Sequence, residues 1–153
     1  MQMRRLSEKR FHNYFDNNPK VSNLMEVLKL PKGSDIYVTE AEFDRISTTL
    51  KNSIAMIGGT LSKNVEEILK DYNLILLPDA DKVGYNEALK RAYYNKEKVL
   101  VNLEQVDTFK DFNTLLQEGM TKKTITDYVL ENIKSSTRAV IELKRRGYKI
   151  YKD

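Results

Sequence analysis

A chain of 153 residues with a formal net charge of +4 and no cysteine excludes several classes of protein. It has the length of about one domain, and without cysteine it can form neither disulfides nor thiolate zinc sites nor a cysteine nucleophile. It contains no apolar run of membrane-spanning length and no signal-peptide core, so we expect a cytoplasmic protein without a membrane partner.

The charges are unevenly distributed along the chain. Residues 1–33 carry 7 basic and 3 acidic side chains, residues 34–118 carry 10 and 15, and residues 119–153 carry 9 and 4. Solvated surface helices can produce this pattern. The functional alternative is a carboxylate cluster that holds metal, flanked by basic ends that hold a phosphate backbone. We therefore predict a basic helical N-terminal extension, a central domain and a basic helical C-terminal extension with these boundaries.

The N-terminal extension mixes basic and aromatic residues. Its apolar residues fall near helical spacing within residues 1–18, and a second short helix is predicted around residues 21–30. Basic residues beside aromatic ones suit nucleic acid as well as core packing. The residues predicted to contact nucleic acid here are Arg4, Arg5 and Arg10.

The central domain alternates strands with helices. Strands are predicted at residues 35–39, 53–57, 74–77 and 98–102 from β-branched, aromatic or continuous aliphatic content. The intervening helices should turn one face toward the sheet, and the residues predicted inward are Phe43, Ile46, Leu50, Val65, Ile68, Leu69, Tyr85, Ala88, Leu89, Ala92 and Tyr93. This alternation predicts an α/β fold with a four-stranded, mainly parallel sheet flanked by helices.

Helices are also predicted for the C-terminal extension. One follows Thr121, and a last basic helix ends at Gly147, after which residues 148–151 form either a short strand or the start of a linker. The residues predicted to contact nucleic acid at this end are Lys144, Arg145, Arg146 and Lys149.

Two aspartates, Asp79 and Asp81, follow the apolar strand at residues 74–77. In extended backbone their carboxylates would point the same way, roughly 6 to 7 Å apart. At an effective dielectric of about 20 they would repel by roughly 2 to 3 kcal/mol, which either Lys82 or a divalent metal could offset. Aspartates also cap helices and fill loops, so this pair alone does not decide the matter.

Every predicted strand is followed by residues that could bind a metal or a phosphate. Ligands of parallel α/β sheets bind beyond the carboxyl ends of the strands, where these groups would meet. Along the four strands in turn they are Glu40; Gly58, Gly59 and Thr60; Asp79 and Asp81; and Asp107, Lys110 and Asp111. Their convergence on one edge favours a metal site over helix capping.

These residues resemble the Toprim domain shared by bacterial and phage primases, topoisomerases and several nucleases. The family is marked by E-G-x-x-D after the first strand, D-x-D-x-x-G after the third and often a later K-D-x-N. The matching segments are Glu40–Asp44, Asp79–Gly84 and Lys110–Asn113, with Ala41 in place of the family glycine. The resemblance covers roughly residues 34–118 and looks closest to the primase part of phage primase–helicases.

The resemblance implies roles for these side chains. Glu40 would be the catalytic or metal-positioning acid, and Asp79 and Asp81 would be Mg²⁺ ligands, with Asp111 assisting a second metal. Asp44 would be a structural partner at the start of its helix. Mg²⁺, or Mn²⁺ in its place, suits oxygen ligands that leave positions for phosphate and water. The residues implied to contact phosphate or hold the loops are Gly59, Thr60, Lys110 and Asn113.

Three functions remain open at this point. The first is the catalytic part of a DNA primase, which joins ribonucleotides on a single-stranded DNA template. The others are a metal-dependent Toprim nuclease and a non-catalytic module that binds nucleic acid or a replication protein. Expected partners are single-stranded DNA or other nucleic acid, nucleoside triphosphates, and a helicase or other replication protein. Because the usual zinc-binding, template-gripping and helicase parts are missing, we expect either a fragment or a small stand-alone protein, phage- or mobile-element-encoded.

Overall fold

The computed structural model describes residues 21–56, 61–103 and 112–151, within which the chain forms six strands and seven helices. In chain order they are β1 (Val21–Ser22), α1 (Leu24–Val27), β2 (Asp35–Thr39), α2 (Glu42–Ile46), β3 (Ser53–Met56), α3 (Lys63–Ile68), β4 (Asn73–Leu77), α4 (Lys82–Asn95), β5 (Lys98–Leu100), α5 (Phe112–Gln117), α6 (Lys122–Asn132), β6 (Ile133–Lys134) and α7 (Ser136–Arg145). The predicted N-terminal helix and the loop groups at residues 58–60 and 107–111 lie outside the described residues.

The strands form one mixed sheet in the order β1-β3-β2-β4-β5-β6. The four central strands run parallel, as the sequence predicts, whereas β1 and β6 pair antiparallel at the two edges. The predicted four-stranded sheet was therefore incomplete. Both missed strands are two residues long, too short for an alternating pattern, and they form because an edge strand offers unpaired backbone groups.

The sheet is covered on both faces, which explains the continuous aliphatic run of β4. Its residues alternate between two hydrophobic clusters, with Leu74 and Leu76 in one and Ile75 and Leu77 in the other. The first cluster includes buried residues of α3, α4 and α7, and the second includes those of α5 and α6. The interpretation of residues 74–77 as a strand buried on both faces is therefore confirmed.

Several residues predicted to face the sheet are exposed instead. Phe43 is 65% exposed and Ile46 is also exposed, because α2 is a short helix whose buried side chain is Asp44. Ile68 lies outside the buried stripe of α3, and Tyr93 lies at the solvent side of α4 near its carboxyl end. The periodicity was correct for Val65, Leu69, Tyr85, Ala88, Leu89 and Ala92, all of which are buried.

The C-terminal residues are part of this core. In α7, Ala139 and Leu143 are fully buried in the first cluster, and the helix contacts α4 and β5. The chain reverses after α7 because Gly147 adopts a positive φ of 96°, which lets the Tyr148 amide donate to the Leu143 carbonyl at 3.0 Å. Residues 148–151 then form neither strand nor helix.

None of the helices in the described part of the chain is both long and apolar enough to cross a membrane.

Candidate metal centre

Glu40 and Asp79 are brought together by two neighbouring strands. β2 and β4 are parallel partners, and their last residues, Thr39 and Leu77, lie side by side. Glu40 follows directly after β2, and Asp79 follows β4 by two positions, so both leave the sheet at the same edge. The Glu40 carboxylate accepts a hydrogen bond from the Asp79 backbone amide, with an Oε1 to N distance of 3.2 Å. The predicted convergence of position 40 with the aspartates is therefore observed.

Gly84 makes this contact possible. A Cβ atom at position 84 would lie 2.5 Å from the Asp79 carbonyl oxygen and 2.8 Å from Oε1 of Glu40. Neither distance is tolerated by ordinary packing, and the nearer atom belongs to backbone that cannot swing aside. The glycine of the D-x-D-x-x-G pattern thus allows the first turn of α4 to approach the acids closely.

Asp81 lies near the other acids and also caps a helix. It is the N-cap of α4, and its Oδ1 accepts a hydrogen bond of 2.7 Å from the Gly84 amide. Helix capping and the metal site were alternatives for this pair of aspartates in the sequence, but the capping bond occupies only one atom of one residue. It also holds the Asp81 carboxyl in a fixed position at the positive end of the helix dipole.

The surroundings of Glu40 are strongly acidic. Burial raises the pKa of this carboxyl above its ordinary value, and hydrogen bonds from the Asp79 amide and side chain oppose the rise. The negative charges of Asp81 and Asp44 raise the Glu40 pKa further. When carboxyls lie this close together, a shared proton or a bound cation stabilises them.

Asp44 connects the acidic edge to α5. It is almost fully buried, and its Oδ1 accepts a hydrogen bond from the Asn113 backbone amide at 3.3 Å. This bond ties α2 to the first turn of α5 and so fixes where the chain leaves the segment that contains Lys110 and Asp111. Those two residues themselves lie outside the described part of the chain.

Ala41, which replaces the family glycine, fits its position. Its backbone is extended, with φ −138° and ψ 151°, a conformation that any residue adopts. The alanine therefore adds a methyl group without backbone strain, and it gives no reason to regard the site as damaged.

The acids do not form a closed cage. Within residues 21–56, 61–103 and 112–151, no three Asp, Glu, His or Cys side chains are arranged so that they could hold a metal ion by themselves. A cavity of about 520 Å³ lies at the amino ends of the strands, beside the first residues of β2, β4 and β5, and is lined by none of the three acids of the site.

Two of the four C-terminal residues predicted to contact nucleic acid form ion pairs with an acid. Arg145 and Arg146 both pair with Glu142, at 2.8 Å and 2.9 Å, and these hydrogen bonds lower the pKa of Glu142 to about 2. Lys144 and Lys149 are exposed. The remaining predicted site residues lie outside the described part of the chain; they are Arg4, Arg5, Arg10, Gly59, Thr60, Lys110 and Asp111.

The sequence did not point to Arg91, a residue of α4 that lies near the candidate site. Its guanidinium is almost buried, where it pairs with Glu97 at 2.6 Å and with Glu66. Arg91 also lines a small cavity that reaches Glu40 and Gly84. No local pattern reveals this residue, because Glu66 is 25 positions away in the chain.

A family model described as Toprim-like matches residues 37–116, just over half of the chain. The chain therefore belongs to the Toprim-like family, and the matched segment extends from within β2 to within α5. Toprim domains are found in primases, nucleases and topoisomerases, typically bind Mg²⁺ and generally bind nucleic acid. A search of curated proteins found no match to this chain.

Proposed function

We propose that this protein is a Mg²⁺-dependent nucleotidyltransferase of the primase type, which joins ribonucleotides on a single-stranded DNA template. The observation that supports it most is the contact of Glu40 with Asp79 at the shared end of β2 and β4. Partial burial and the nearby charges of Asp81 and Asp44 raise the pKa of the Glu40 carboxyl, and such perturbed groups are concentrated at functional sites.

The residues at this edge fit Mg²⁺. All three acids, Glu40, Asp79 and Asp81, offer the hard oxygen ligands that this ion prefers, and few protein ligands leave room for phosphates and water. Because the described acids do not surround the ion, coordination positions remain for the phosphates of a nucleotide. Bound there, Mg²⁺ would neutralise the triphosphate and stabilise the charge that develops during phosphoryl transfer.

Each side chain then has a distinct role. Asp79 and Asp81 would hold the Mg²⁺ that binds the triphosphate, and the capping bond to Gly84 fixes the position of the Asp81 carboxyl. Glu40, whose pKa is raised, accepts the proton of the attacking 3′-hydroxyl. The new bond joins that oxygen to the α-phosphorus, and the bond to pyrophosphate breaks.

Asp111 is proposed to assist a second metal, and Gly59, Thr60, Lys110 and Asn113 to contact phosphate or hold the loops. We also propose that a helicase or another replication protein supplies template handling. The basic ends predicted from the sequence, residues 1–33 and 119–153, would contribute phosphate contacts.

The test is an assay of purified protein with single-stranded template, labelled ribonucleotides and Mg²⁺. We expect oligoribonucleotides from the wild type and none from Asp79→Asn. Asp71→Asn is the matched control, because Asp71 is an acid that pairs with Lys32 at the surface, remote from Glu40. It should retain full synthesis.

The same assay distinguishes the other two functions. Shortening of labelled single strands that requires Asp79 would identify a nuclease, since both activities use the same acids. Binding without either product, unchanged in Asp79→Asn, would identify a non-catalytic module. Either result would contradict the proposed primase.

A further inference from the structure

Tyr93 is an exposed aromatic ring flanked by two lysines. It is 44% exposed at the end of α4, and the ammonium groups of Lys96 and Lys144 lie 5.4 Å and 5.2 Å from its ring centroid. The exposed ring of Tyr94 packs edge-on against it, with 4.9 Å between centroids. Lys144 belongs to α7, so two elements contribute to this cluster.

The two lysines share one ring although their charges repel. The distance between the two ammonium groups is at most the sum of their distances to the ring centroid. That sum is about one Debye length at 0.1 M salt. In the described part of the chain neither lysine forms an ion pair, and the nearby acids Glu97 and Glu142 are taken by arginines. The cluster is therefore a local positive charge that a phosphate group would neutralise.

Two hollows, one on each side of Lys144, form a groove that follows α4 from this cluster toward the start of the helix. α7 packs on α4, and a hollow of about 200 Å³ between them is lined by Tyr93, Lys96 and the first half of α7. Farther along, a second hollow of about 430 Å³ is lined by Lys144 and Lys149. The Lys149 amide donates a hydrogen bond of 3.2 Å to Asn86 near the start of α4.

The groove follows α4 toward the end of the helix at which the acids lie. α4 begins at its cap Asp81, so Asn86 is about 7 Å and Tyr93 about 18 Å from the acids along the helix axis. A chain of phosphates along the groove would meet Lys96, Lys144 and Lys149 in turn on its way toward the start of α4.

We propose that this groove binds single-stranded nucleic acid, with the three lysines on phosphates and an unpaired base stacked on the Tyr93 ring in place of the lysine ammonium groups. The inference rests on the proposed function and deepens it by naming the surface that guides the strand. A single strand is favoured over a duplex because only an unpaired base offers its face to an exposed ring. It also replaces Arg145 and Arg146, which Glu142 already holds, as the main contacts of this end.

The experiment measures binding of a labelled oligothymidylate by fluorescence anisotropy in EDTA, at several salt concentrations. Tyr93→Leu should bind about tenfold more weakly with an unchanged salt slope, because a stacking contact is lost and no phosphate contact is. Tyr93→Phe keeps the ring and should bind like the wild type. Unchanged affinity in Tyr93→Leu, or equal losses in both variants, would overturn the proposal.

The lysines have a separate readout. Lys144→Gln should reduce the slope of log K against log salt by about 0.7, the value for one phosphate contact on a single strand. Lys123→Gln is the matched control, since that lysine is 82% exposed on α6, away from the groove, and should change nothing. Equal slopes for Lys144→Gln and wild type, or equally tight binding of duplex DNA, would contradict the groove.

Chemistry is blocked in EDTA, so this result is independent of the proposed enzyme activity. Asp79→Asn should bind the oligonucleotide like the wild type. Tyr93-dependent binding without primer synthesis would support the groove and refute the primase. Primer synthesis together with binding that does not depend on Tyr93 would support the primase and refute the groove.

Discussion

Glu40 occupies a position that is unfavourable for a charged side chain. Burial disfavours its ionised form, and Asp81 and Asp44 add negative charge, whereas the Asp79 amide is the main compensating donor. Such an arrangement lowers the stability of the folded chain, and residues of this kind concentrate where function requires them. The consequence can be measured by removing the charge while keeping the shape.

In EDTA at pH 7, Glu40→Gln should melt at a higher temperature than the wild type. The folded-state pKa of Glu40 is raised above its ordinary value of 4.5, so protonation favours folding. Its stabilising contribution is present below that ordinary value and is lost as the pH rises through the folded-state pKa. The difference between the two proteins should therefore shrink from pH 7 to pH 4.5. A lower melting temperature for Glu40→Gln at pH 7 would contradict this account.

Gly84→Ala should change stability in the direction opposite to that of most glycine-to-alanine substitutions in helices. Glycine to alanine inside a helix ordinarily stabilises a protein by about 1 kcal/mol. Here we expect Gly84→Ala to destabilise it by about 1–3 kcal/mol, because the new methyl group would overlap the Asp79 carbonyl and Glu40. Chemical denaturation measures the difference. Val83→Ala, at a neighbouring residue that is 78% exposed, should change stability by no more than about 0.5 kcal/mol.

Sequence patterns predicted the acids well and the side chains around them poorly. Glu40 and Asp79 could be placed together because each follows a recognisable strand, and parallel strands end at one edge. Phe43 could not be placed correctly, because α2 is only five residues long and the side chain that it buries is Asp44, which accepts a hydrogen bond from α5. The bond from the Asn113 amide to Asp44 joins residues 69 positions apart, which no local pattern contains.

At the scale of elements, α7 links the predicted C-terminal extension to the core of the matched family segment. Leu143 is fully buried between α7 and the sheet, in the same cluster as β2, β4 and α4 residues. The sequence predicts this helix from Val140 and Leu143, and the structure adds that Ser135 is its N-cap. The edge strand β6 just before it was missed, since two residues carry no period.

Leu143→Ala should therefore lower the free energy of unfolding by about 2–4 kcal/mol, through lost burial and the cavity that remains. Ile141→Ala is the matched control, because this side chain on the same helix is exposed, and it should cost less than about 1 kcal/mol. Urea denaturation provides both values. Equal small effects would mean that α7 is not part of the cooperative core.

At the scale of the whole molecule, positive and negative charges are separated along the chain. The net charge of +4 comes from the two ends of the chain, while the central segment that belongs to the Toprim-like family is acidic. The sequence revealed this division by counting alone. It could not reveal that α7 packs on α4 and brings Lys144 to the Tyr93 ring, because that depends on tertiary packing.

The most direct test of the acidic centre is a titration of Mn²⁺ into the protein, followed by the electron paramagnetic resonance signal of the free ion. We predict that the wild type and Asp71→Asn remove Mn²⁺ from solution to the same extent, and that Glu40→Gln and Asp79→Asn bind it much more weakly. If Asp79→Asn bound Mn²⁺ as tightly as the wild type, the proposal that these acids hold the metal would be wrong.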